Sequence, residues 1–511
     1  MCRSCGIALV AGLCLATPSA ARGGGFEVTS QGTVALGRGG AYSARAADPM
    51  VLQYAPASLA DAVDPEVLLS SHFVLYDPCV RRSGTYGDNV AAGATSVSRF
   101  GPIADYRDEP FPEVCRDGPV GITPNLLATI PLGPGWGAGF GLLTPAGAGG
   151  GSWGDEEAIV RNAAGEERPS PVRYLLAETD SALVSWSAGL GWRPHPMLAL
   201  GITAHWAMAF SDSAAFVTFD PYEDPANDIR SEFTVSDLFI PGITATVKVT
   251  PVPGIEAVVG FYYLDDVRAG GESTLIFGEY ATGRNEPGHT ARVDNPIDDF
   301  TITTGGQTEL WGSFRYAHLR PGAALPGRAG RDPMRDELFD VELTVRWELN
   351  SRVDAFHVDV PEGSSFDFTF YDTMRGELRQ ARGAPIEDRD IPKLWKDQLT
   401  LHLGGDAHVI PERLTLRAGA SYETRGIEAS NLSVDFMPLE RLGLHGGATL
   451  RVGDLDVSVA YAHIFQETVT VGTGEAQYHA LAASGTGPVV NAGRYAASYD
   501  VISAGLSYRF R

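Results

Sequence analysis

The sequence lacks the long apolar runs that membrane-spanning helices require. Its 511 residues are 44% hydrophobic, with a mean hydropathy of −0.05. A helical transporter of this size would need many segments of about 20 apolar residues. The uncharged stretch from Asn125 to Gly154 is rich in proline and glycine, and the whole chain has 60 glycines and 33 prolines. Because both residues disfavour helix interiors, this composition excludes a bundle of transmembrane helices.

The sequence also has few basic residues. It contains 39 Lys and Arg but 63 Asp and Glu, which gives a formal net charge of −24. Nucleic acid phosphates repel such a polyanion, so we expect no nucleic acid partner. At about 150 residues per domain the length suggests roughly three soluble domains, whereas a large β-barrel of this length is a single unit.

The N-terminus has the pattern of a secretory signal peptide. Arg3 precedes a short apolar run over Gly6–Ala16, and small residues follow at Ser19 and Ala21. A charged start, a short apolar run and a small-residue cleavage site define such a signal. We therefore predict a signal peptide over residues 1–21 and an exported protein.

Cysteine is scarce once this signal is removed. Cys2, Cys5 and Cys14 lie in the predicted signal peptide, which leaves only Cys79 and Cys115. An even pair of cysteines in an exported protein predicts a disulfide. Two unpaired thiols are the alternative.

Period-2 alternation dominates the sequence from residue 66 onward. Between Phe339 and Glu348 apolar side chains alternate with polar or charged ones, and the pattern recurs between Leu414 and Glu423. Such alternation is typical of strands whose two faces meet different surroundings. We predict about fourteen strands, over residues 66–76, 123–132, 136–144, 180–192, 196–210, 237–250, 254–270, 312–326, 337–360, 395–408, 413–424, 440–451, 455–470 and 499–510.

Short turns and long polar loops alternate between these strands. Short turns are predicted at 133–135, 193–195, 251–253 and 452–454, and long loops over 77–122, 145–179, 211–236, 271–311, 361–394, 425–439 and 471–498. An even strand number with connections of alternating length is typical of outer-membrane barrels. We therefore predict an all-β fold, a transmembrane antiparallel β-barrel of about 14 strands over residues 64–511. A soluble sandwich or propeller, with its apolar face inside, is the alternative.

In a barrel of this kind the charged faces of the strands line the lumen, while the apolar faces meet lipid. Acids and bases on the charged faces are then expected to pair inside the barrel; they include Glu342, Arg346, Arg417, Glu423 and Arg509. Residues 22–63 differ, because they are glycine-rich and show no strand alternation. We predict that this segment is an N-terminal hatch, a plug inside the lumen.

Two groups of motifs carry a resemblance to a known family. The first extends from Gly25 through Gly37-Arg38-Gly39-Gly40 to Tyr54-Ala55-Pro56-Ala57-Ser58-Leu59-Ala60. The second comprises Trp395-Lys396-Asp397 before a predicted strand, Leu414–Gly419 with Arg417, and Ala460–Phe465. In order and spacing these resemble the hatch and the closing strands of the FadL/TodX-type outer-membrane transport proteins. The family hatch usually ends in Tyr-Asn-Pro-Ala-Gly-Leu-Ala.

The resemblance implies a function and a route. It implies passive uptake of long-chain fatty acids or other hydrophobic small molecules, with a sideways exit beside a kinked third strand. Gly137, Gly139 and Gly141 of the predicted third strand are candidates for this lateral exit, since glycine weakens pairing between strands. Alternatively, these glycines only fit a tight bend.

The resemblance also implies the candidate site residues. The ligand and hatch candidates are Phe26, Gly37, Arg38, Gly39, Tyr54, Ala55, Pro56 and Ala57, and the barrel motif comprises Trp395, Lys396, Asp397 and Arg417. Ala55 replaces the family's Asn and cannot hydrogen-bond to the barrel wall through its side chain. Either another group holds the hatch, or its gating differs. Phe26 either lines the ligand pocket or only packs the hatch.

The predicted loops 211–236 and 271–311 correspond to the family's outer capture site, and both contain more acids than bases. An acidic rim disfavours a fatty carboxylate unless divalent cations screen it. Neutral or weakly charged hydrophobes are therefore at least as good candidates as fatty acids. The acids Asp220, Glu223, Asp224 and Asp228 fit no EF-hand spacing, so we favour a solvated acidic loop over a Ca²⁺ site.

We predict no enzyme, catalytic residue, metal or cofactor; the sequence has no His-Glu-x-x-His motif. A lipid-modifying enzyme barrel is the alternative, with His402, His445 or His463 near a lumen serine. A structural or adhesive barrel is a third possibility, and it would need no hatch. The expected surroundings are outer-membrane lipid and lipopolysaccharide of a Gram-negative bacterium, with a hydrophobic small-molecule ligand and a monomeric chain.

Overall fold

The computed structural model describes residues 30–145, 148–219, 221–284, 286, 288–323, 332–372, 377–482 and 485–511. The predicted signal peptide and Phe26 lie outside these residues. In the described part of the chain, no helix has the length and apolar character needed to cross a membrane.

Fourteen antiparallel strands close into a barrel, which confirms the predicted fold class. Eight are continuous or nearly so: β1 (Glu66–Tyr76), β2 (Gly121–Gly133), β4 (Glu178–His195), β5 (Leu198–Val217), β6 (Ile229–Val252), β11 (Leu414–Glu423), β12 (Arg441–Val452) and β13 (Leu455–Gln466). Five consist of two pieces: β3 (Trp136–Leu143, Ala148–Ser152), β7 (Ile255–Leu264, Val267–Phe277), β8 (Val293–Thr304, Thr308–Leu319), β9 (Glu337–Glu348, Ala355–Asp359) and β10 (Arg389–Pro392, Gln398–Ile410). The last strand, β14 (Ser498–Arg509), pairs with β1 along its whole length and closes the ring.

The remaining elements are short. Helical turns cover Thr33–Gly37, Val51–Tyr54, Pro56–Asp61, Ile103–Tyr106, Pro333–Asp336, Asn350–Arg352 and Ala429–Asn431. Additional strands cover Cys79–Arg82, Val97–Ser98, Gly101–Pro102, Glu113–Cys115, Ile159–Arg161, Glu167–Pro169, Ser365–Asp372, Glu377–Pro385, Val469–Val471, His479–Ala482, Gly485–Val489 and Gly493–Ala496.

The barrel wall has its apolar face outside and its charged face inside. On β9, Leu343 is 47% exposed whereas Glu342 on the opposite face is fully buried, and this alternation recurs around the barrel. A soluble sandwich would show the reverse arrangement. The predicted inward pairs form, because Glu342 contacts Arg38 and Arg417 contacts Asp406. Arg346 pairs with Glu309, Glu423 with Arg441, and Arg509 with Asp456.

The connections at the two ends of the barrel differ in length, as predicted. Tight turns join β2 to β3, β4 to β5, β6 to β7 and β12 to β13 at what we call the short-turn end. At the opposite, long-loop end, two predicted loops are wrong. Much of 211–236 and 271–311 is strand, because β5, β6, β7 and β8 continue beyond the predicted boundaries. The predicted eighth strand over 312–326 begins earlier and ends at Leu319.

The long-loop end is covered by a small cap. Cys79–Arg82 pairs with Glu113–Cys115 and Gly493–Ala496, and the last of these pairs with Val469–Val471. Cys79 and Cys115 lie opposite each other in this sheet and form the predicted disulfide. An apolar core that includes Val80, Val114 and Tyr495 lies beneath this sheet.

Candidate ligand-binding site

An apolar cavity of about 360 Å³ lies within the long-loop half of the barrel. It exists because β5 to β8 continue past the predicted boundaries and carry apolar residues on their inner faces there. The lining is aliphatic and aromatic, and it includes Leu183, Phe216, Phe233, Val235, Phe300, Ile302, Phe356, Phe366, Phe436 and Tyr478. A cavity of this size and character is suited to a small hydrophobic molecule.

One buried ion pair lies in the wall of this cavity. The ammonium group of Lys393 contacts the carboxylate of Asp435, and it lies 4.6 Å from the ring centroid of Phe356 and 5.9 Å from that of Tyr478. Burial lowers the pKa of the Lys393 amine, but the charge of Asp435 outweighs burial, so the pKa is above its usual value. Both side chains of the pair are therefore ionised, and their net charge is zero.

The strand β3 is interrupted beside the lower end of the cavity. Among the described residues its pairing with β2 reaches Leu142, is absent at Thr144 and Pro145, and is present again where Ala148 lies opposite Ile122. On the β4 side, the ladder ends where Leu143 pairs with Ser185 and resumes at Ala148. Leu183 of β4 faces this break and also lines the cavity. Ala182 and Leu183 of the cavity lining thus lie on the strand next to this break.

Side chains bridge the break. The backbone N–H of Thr144 donates to Oδ1 of Asn125 at 3.1 Å, and Thr144 Oγ1 donates to the carbonyl oxygen of Pro124 at 2.8 Å. Nε2 of Gln31 donates to the carbonyl oxygen of Pro145 at 3.1 Å. Proline has no N–H with which to continue a ladder, so residues of this kind mark the end of regular pairing. Gln31 links the break to the N-terminal segment.

The N-terminal segment (residues 30–63) packs against the inner face of the barrel below the cavity. Arg38 is completely buried and donates from Nη1 and Nη2 to the two carboxylate oxygens of Asp340, each at 2.9 Å. Its Nη1 also lies 2.9 Å from Oδ1 of Asp406. Glu342 accepts hydrogen bonds from the backbone N–H groups of Ala44 and Arg45 at 2.8 and 2.9 Å. Bidentate, charge-assisted contacts of this type are the strong ones.

The other sequence-predicted hatch residues are placed in the same region. Gly37 and Gly39 pack against Arg417 and the backbone of Ala420, where a side chain would overlap. Tyr54 donates from its hydroxyl to the carbonyl oxygen of Gln31 at 3.0 Å. Ala55 is fully buried, Pro56 begins the helical turn, and the N–H of Ala57 donates to Thr246 Oγ1 at 2.9 Å. Main-chain groups and charged side chains therefore hold this segment, without an asparagine at 55.

The three glycines of β3 lie below the break rather than in it. Gly137, Gly139 and Gly141 pair with both β2 and β4. A Cβ atom on Gly137 would overlap the carbonyl oxygen of Leu59, and one on Gly139 would come within 3.1 Å of the Leu59 side chain. These two glycines allow the turn Pro56–Asp61 to approach the barrel wall. Gly141 lies nearest the break.

A second, polar cavity of about 610 Å³ lies below the N-terminal segment, at the short-turn end. Its walls are dense in paired charges, among them Lys248 with Glu256, Arg315 with Glu256, and Arg451 with Asp456. The two halves of the lumen thus differ sharply in polarity.

The barrel motif lies beside the cap. Trp395 is buried against Phe356 and Phe436, Lys396 pairs with Glu428, and Asp397 accepts from Trp347 Nε1 at 3.2 Å. Arg417 lies lower, in the lumen, and donates from Nη2 to Thr449 Oγ1 at 2.7 Å. Three residues of the motif therefore fix the upper ends of β9 and β10, whereas Arg417 contacts the N-terminal segment.

The predicted solvated acidic loop is wrong for two of its residues. Glu223 is buried against Arg82, and Asp228 is buried between Arg173 and the hydroxyl of Tyr174. Burial raises the pKa of the Asp228 carboxyl to about 6. Asp220 lies outside the described residues, and among those described no three His, Cys, Asp or Glu side chains form a metal cluster. These acids hold the cap together through arginine partners.

The histidines considered for catalysis have structural partners. His402 Nδ1 lies 2.6 Å from the carbonyl oxygen of Gly39, and His463 faces outward beside Asp500. His445 Nε2 lies 3.0 Å from Ser421 Oγ. Among the described residues no carboxylate hydrogen-bonds to Nδ1 of His445, so no acid orients its ring.

The sequence interpretation missed Lys393 and Asp435 as site residues. They lie 42 positions apart in two predicted loops, and no periodicity connects them. The one available signal is composition, because Lys248, Lys393 and Lys396 are the only lysines in the chain. Because lysine is so rare in this chain, each of the three lysines is a candidate for a specific role.

Solved structures with the same architecture are transport proteins. A Pseudomonas aeruginosa FadL homologue is 14% identical, with a TM-score of 0.66 over 95% of this chain and 100% of that chain. The P. putida toluene transporter TodX is 13% identical, with a TM-score of 0.59 over 95% and 100%. The monoaromatic hydrocarbon channel CymD is 12% identical, with a TM-score of 0.57 over 95% and 99%.

No protein-family model matches the sequence, and no curated protein matches it. At these identities the structural likeness establishes architecture alone. In all three cases it extends over nearly the entire length of both chains. The chain therefore has the fold of the FadL/TodX-type proteins, a closed barrel of fourteen strands.

Proposed function

We propose that this chain is an outer-membrane channel for passive uptake of hydrophobic small molecules. The observation that carries the proposal is the apolar cavity, whose lining includes Ala182 and Leu183 of β4 beside the break in β3. A channel for hydrophobes needs an apolar binding site and an exit that avoids water, and this arrangement supports both. The structural similarity to a toluene transporter and to a monoaromatic hydrocarbon channel fits the same class of ligand.

The outer surface supports a membrane location. Apolar side chains such as Phe314, Leu343 and Leu444 are about half exposed around the barrel, where lipid would cover them. We place the protein in the outer membrane of a Gram-negative bacterium as a monomer, with outer-membrane lipid and lipopolysaccharide around it. The long-loop end then faces outward, so ligands enter the apolar cavity from outside.

The polar lower lumen supports a sideways exit. A hydrophobic molecule that continued along the barrel axis would have to displace the N-terminal segment and then cross a cavity lined by charges. Removing an apolar molecule from an apolar site into such surroundings is unfavourable. Residues 22–63 therefore act as a hatch, and the ligand leaves through the wall beside Thr144 and Pro145, just beyond Gly141.

Two matched tryptophan substitutions test this route. Leu183 lines the cavity and faces the break, whereas Leu190 on the same strand points outward and is 41% exposed. Leu183→Trp is expected to reduce hydrophobe uptake by cells about tenfold or more, while Leu190→Trp leaves uptake unchanged. Surface levels and heat-modifiable migration of both variants serve as controls. Normal uptake through a correctly folded Leu183→Trp barrel would contradict the route.

The ligand class is hydrophobic, with fatty acids and neutral hydrophobes both in range of a cavity this size. Ion pairs neutralise part of the acidity that the sequence placed on the outer rim, as Glu223 and Asp228 illustrate. The rim therefore discriminates against carboxylates less than its composition predicts. Discrimination depends more on the charges inside the cavity.

A further inference from the structure

Apart from Tyr174 and Tyr478, the apolar cavity has few ionisable groups in its lining: Glu387, Arg389, Lys393, Asp435 and His479. Glu387 and His479 are exposed. Arg389 is half-buried at the edge, where it donates to the carbonyl oxygen of Ala482 at 2.8 Å. Around it stand acids that would repel an incoming carboxylate, namely Asp359, Asp388 and Asp390. Lys393 is the only deeply buried cation among these described lining residues.

Lys393 is positioned by several parts of the chain. Its backbone N–H donates to the carbonyl oxygen of Asp354 at 2.7 Å, and its side chain is 3% exposed. Phe356 comes from β9, Asp435 from the loop between β11 and β12, and Tyr478 from the loop between β13 and β14. Aromatic rings stabilise an ammonium group, but a buried charge needs an opposite charge as well. Asp435 supplies it.

We propose that Asp435 is a specificity-determining residue, which neutralises Lys393 so that the cavity accepts neutral hydrophobes and rejects long-chain carboxylates. The inference rests on the proposed function and names its ligand class. A carboxylate that enters the cavity loses its hydration and meets a cation whose partner is already in place. A neutral molecule of equal length loses no charge hydration and buries the same apolar area.

The first test compares two ligands of equal chain length on the unmodified protein. Binding of radiolabelled 1-dodecanol and dodecanoate to the full chain in lipid nanodiscs is measured at pH 8 without divalent cations. The carboxylate is ionised at this pH. Empty nanodiscs and Ala215→Trp, which fills the cavity, correct for partition into lipid. We expect 1-dodecanol to bind about tenfold or more tightly than dodecanoate.

The second test removes the neutralising charge. Asp435→Asn preserves the size of the side chain but removes its negative charge. The ammonium group of Lys393 is then no longer neutralised and can pair with a carboxylate of the ligand. A charge-assisted hydrogen bond then becomes available to a carboxylate, so dodecanoate should bind about tenfold more tightly. The affinity for 1-dodecanol should change less than about twofold.

Two further variants separate the contributions. Lys393→Met combined with Asp435→Leu removes both charges of the pair. This double variant should still bind 1-dodecanol, and its affinity for dodecanoate should not exceed that of the unmodified protein. Arg81→Gln should leave both affinities unchanged, because this exposed arginine of the cap lies outside the cavity lining. If Asp435→Asn does not reach the heat-modifiable form, the double variant and the unmodified protein decide the question.

The outcomes of the two proposals are distinguishable. Equal or tighter binding of dodecanoate to the unmodified protein overturns the role of Asp435 but leaves the channel intact. The same holds if a folded Asp435→Asn gains no affinity for dodecanoate. If neither ligand binds beyond the level of Ala215→Trp, the channel function itself fails.

Discussion

Arg38 is the residue on which the position of the N-terminal segment depends most. Its guanidinium lies between Asp340 and Asp406, both buried, so its loss leaves Asp340 with Arg315 alone and Asp406 with Arg45 and Arg417. Removing one partner of a buried ion pair is destabilising, because part of the charge that remains is no longer compensated. Arg38→Met should therefore release the segment and make the barrel permeable to small polar solutes. The measurement is the rate at which a periplasmic β-lactamase hydrolyses an external chromogenic substrate.

The matched control for Arg38 is the same substitution at an exposed arginine. Arg81 is 62% exposed and lies 3.7 Å from Glu113, so Arg81→Met should change permeability little. If both variants stay as tight as the unmodified protein, Arg38 does not hold the segment in place.

The disulfide is a second residue-scale feature with a measurable contribution. Cys79 and Cys115 are 36 positions apart, and loop closure of this length stabilises the folded state by about 4 kcal/mol. Replacing both cysteines by serine should make the region 77–122 sensitive to trypsin while the barrel stays heat-modifiable. Equal trypsin resistance with and without reductant in the unmodified protein would argue against a role for the bond in the cap.

At the scale of elements, the turn Pro56–Asp61 depends on glycines in the wall. Gly137 faces this turn, whereas Gly312 on β8 faces outward with no atom near its missing side chain. Gly137→Val should displace the turn and lower the thermal stability of the protein, or raise its polar permeability. Gly312→Val should do neither. A silent Gly137→Val would show that the turn is not packed against β3.

The membrane-facing part of each strand could be predicted from the sequence, whereas the extensions could not. Between Phe339 and Glu348 one face of the strand meets apolar surroundings and the other a charged lumen. Apolar and polar residues therefore alternate in the sequence, and this alternation predicts the strand. Beyond Phe210 the inner face of β5 carries Ser211 and Ser213 and then Ala215 and Val217, all of which line the cavity, while the outer face becomes mixed. The alternation is lost, although the backbone pairing continues.

The site itself was only partly predictable. The hatch residues between Gly37 and Ala57 could be placed together because they are contiguous in the chain. The pair of Lys393 and Asp435, and the bridging of Pro145 by Gln31, arise only when distant segments meet inside the barrel. No local pattern encodes such contacts, so neither could be predicted from the sequence.

At the scale of the whole molecule, closure of fourteen strands predicts resistance to detergent. Because β14 pairs with β1, every barrel strand has two neighbours and no edge is left to fray. The unheated protein should migrate faster on SDS gels than the boiled protein. Identical migration before and after heating would contradict a closed barrel.

The most direct test of the channel function measures two fluxes in the same cells. A Gram-negative host expressing the full chain should take up 1-dodecanol several-fold faster than cells expressing Ala215→Trp, with equal surface levels of both proteins. Entry of the polar β-lactamase substrate should remain at the background rate in both. Equal dodecanol uptake by the two strains, or a parallel rise in polar entry, would contradict a hatch-closed channel for hydrophobic molecules.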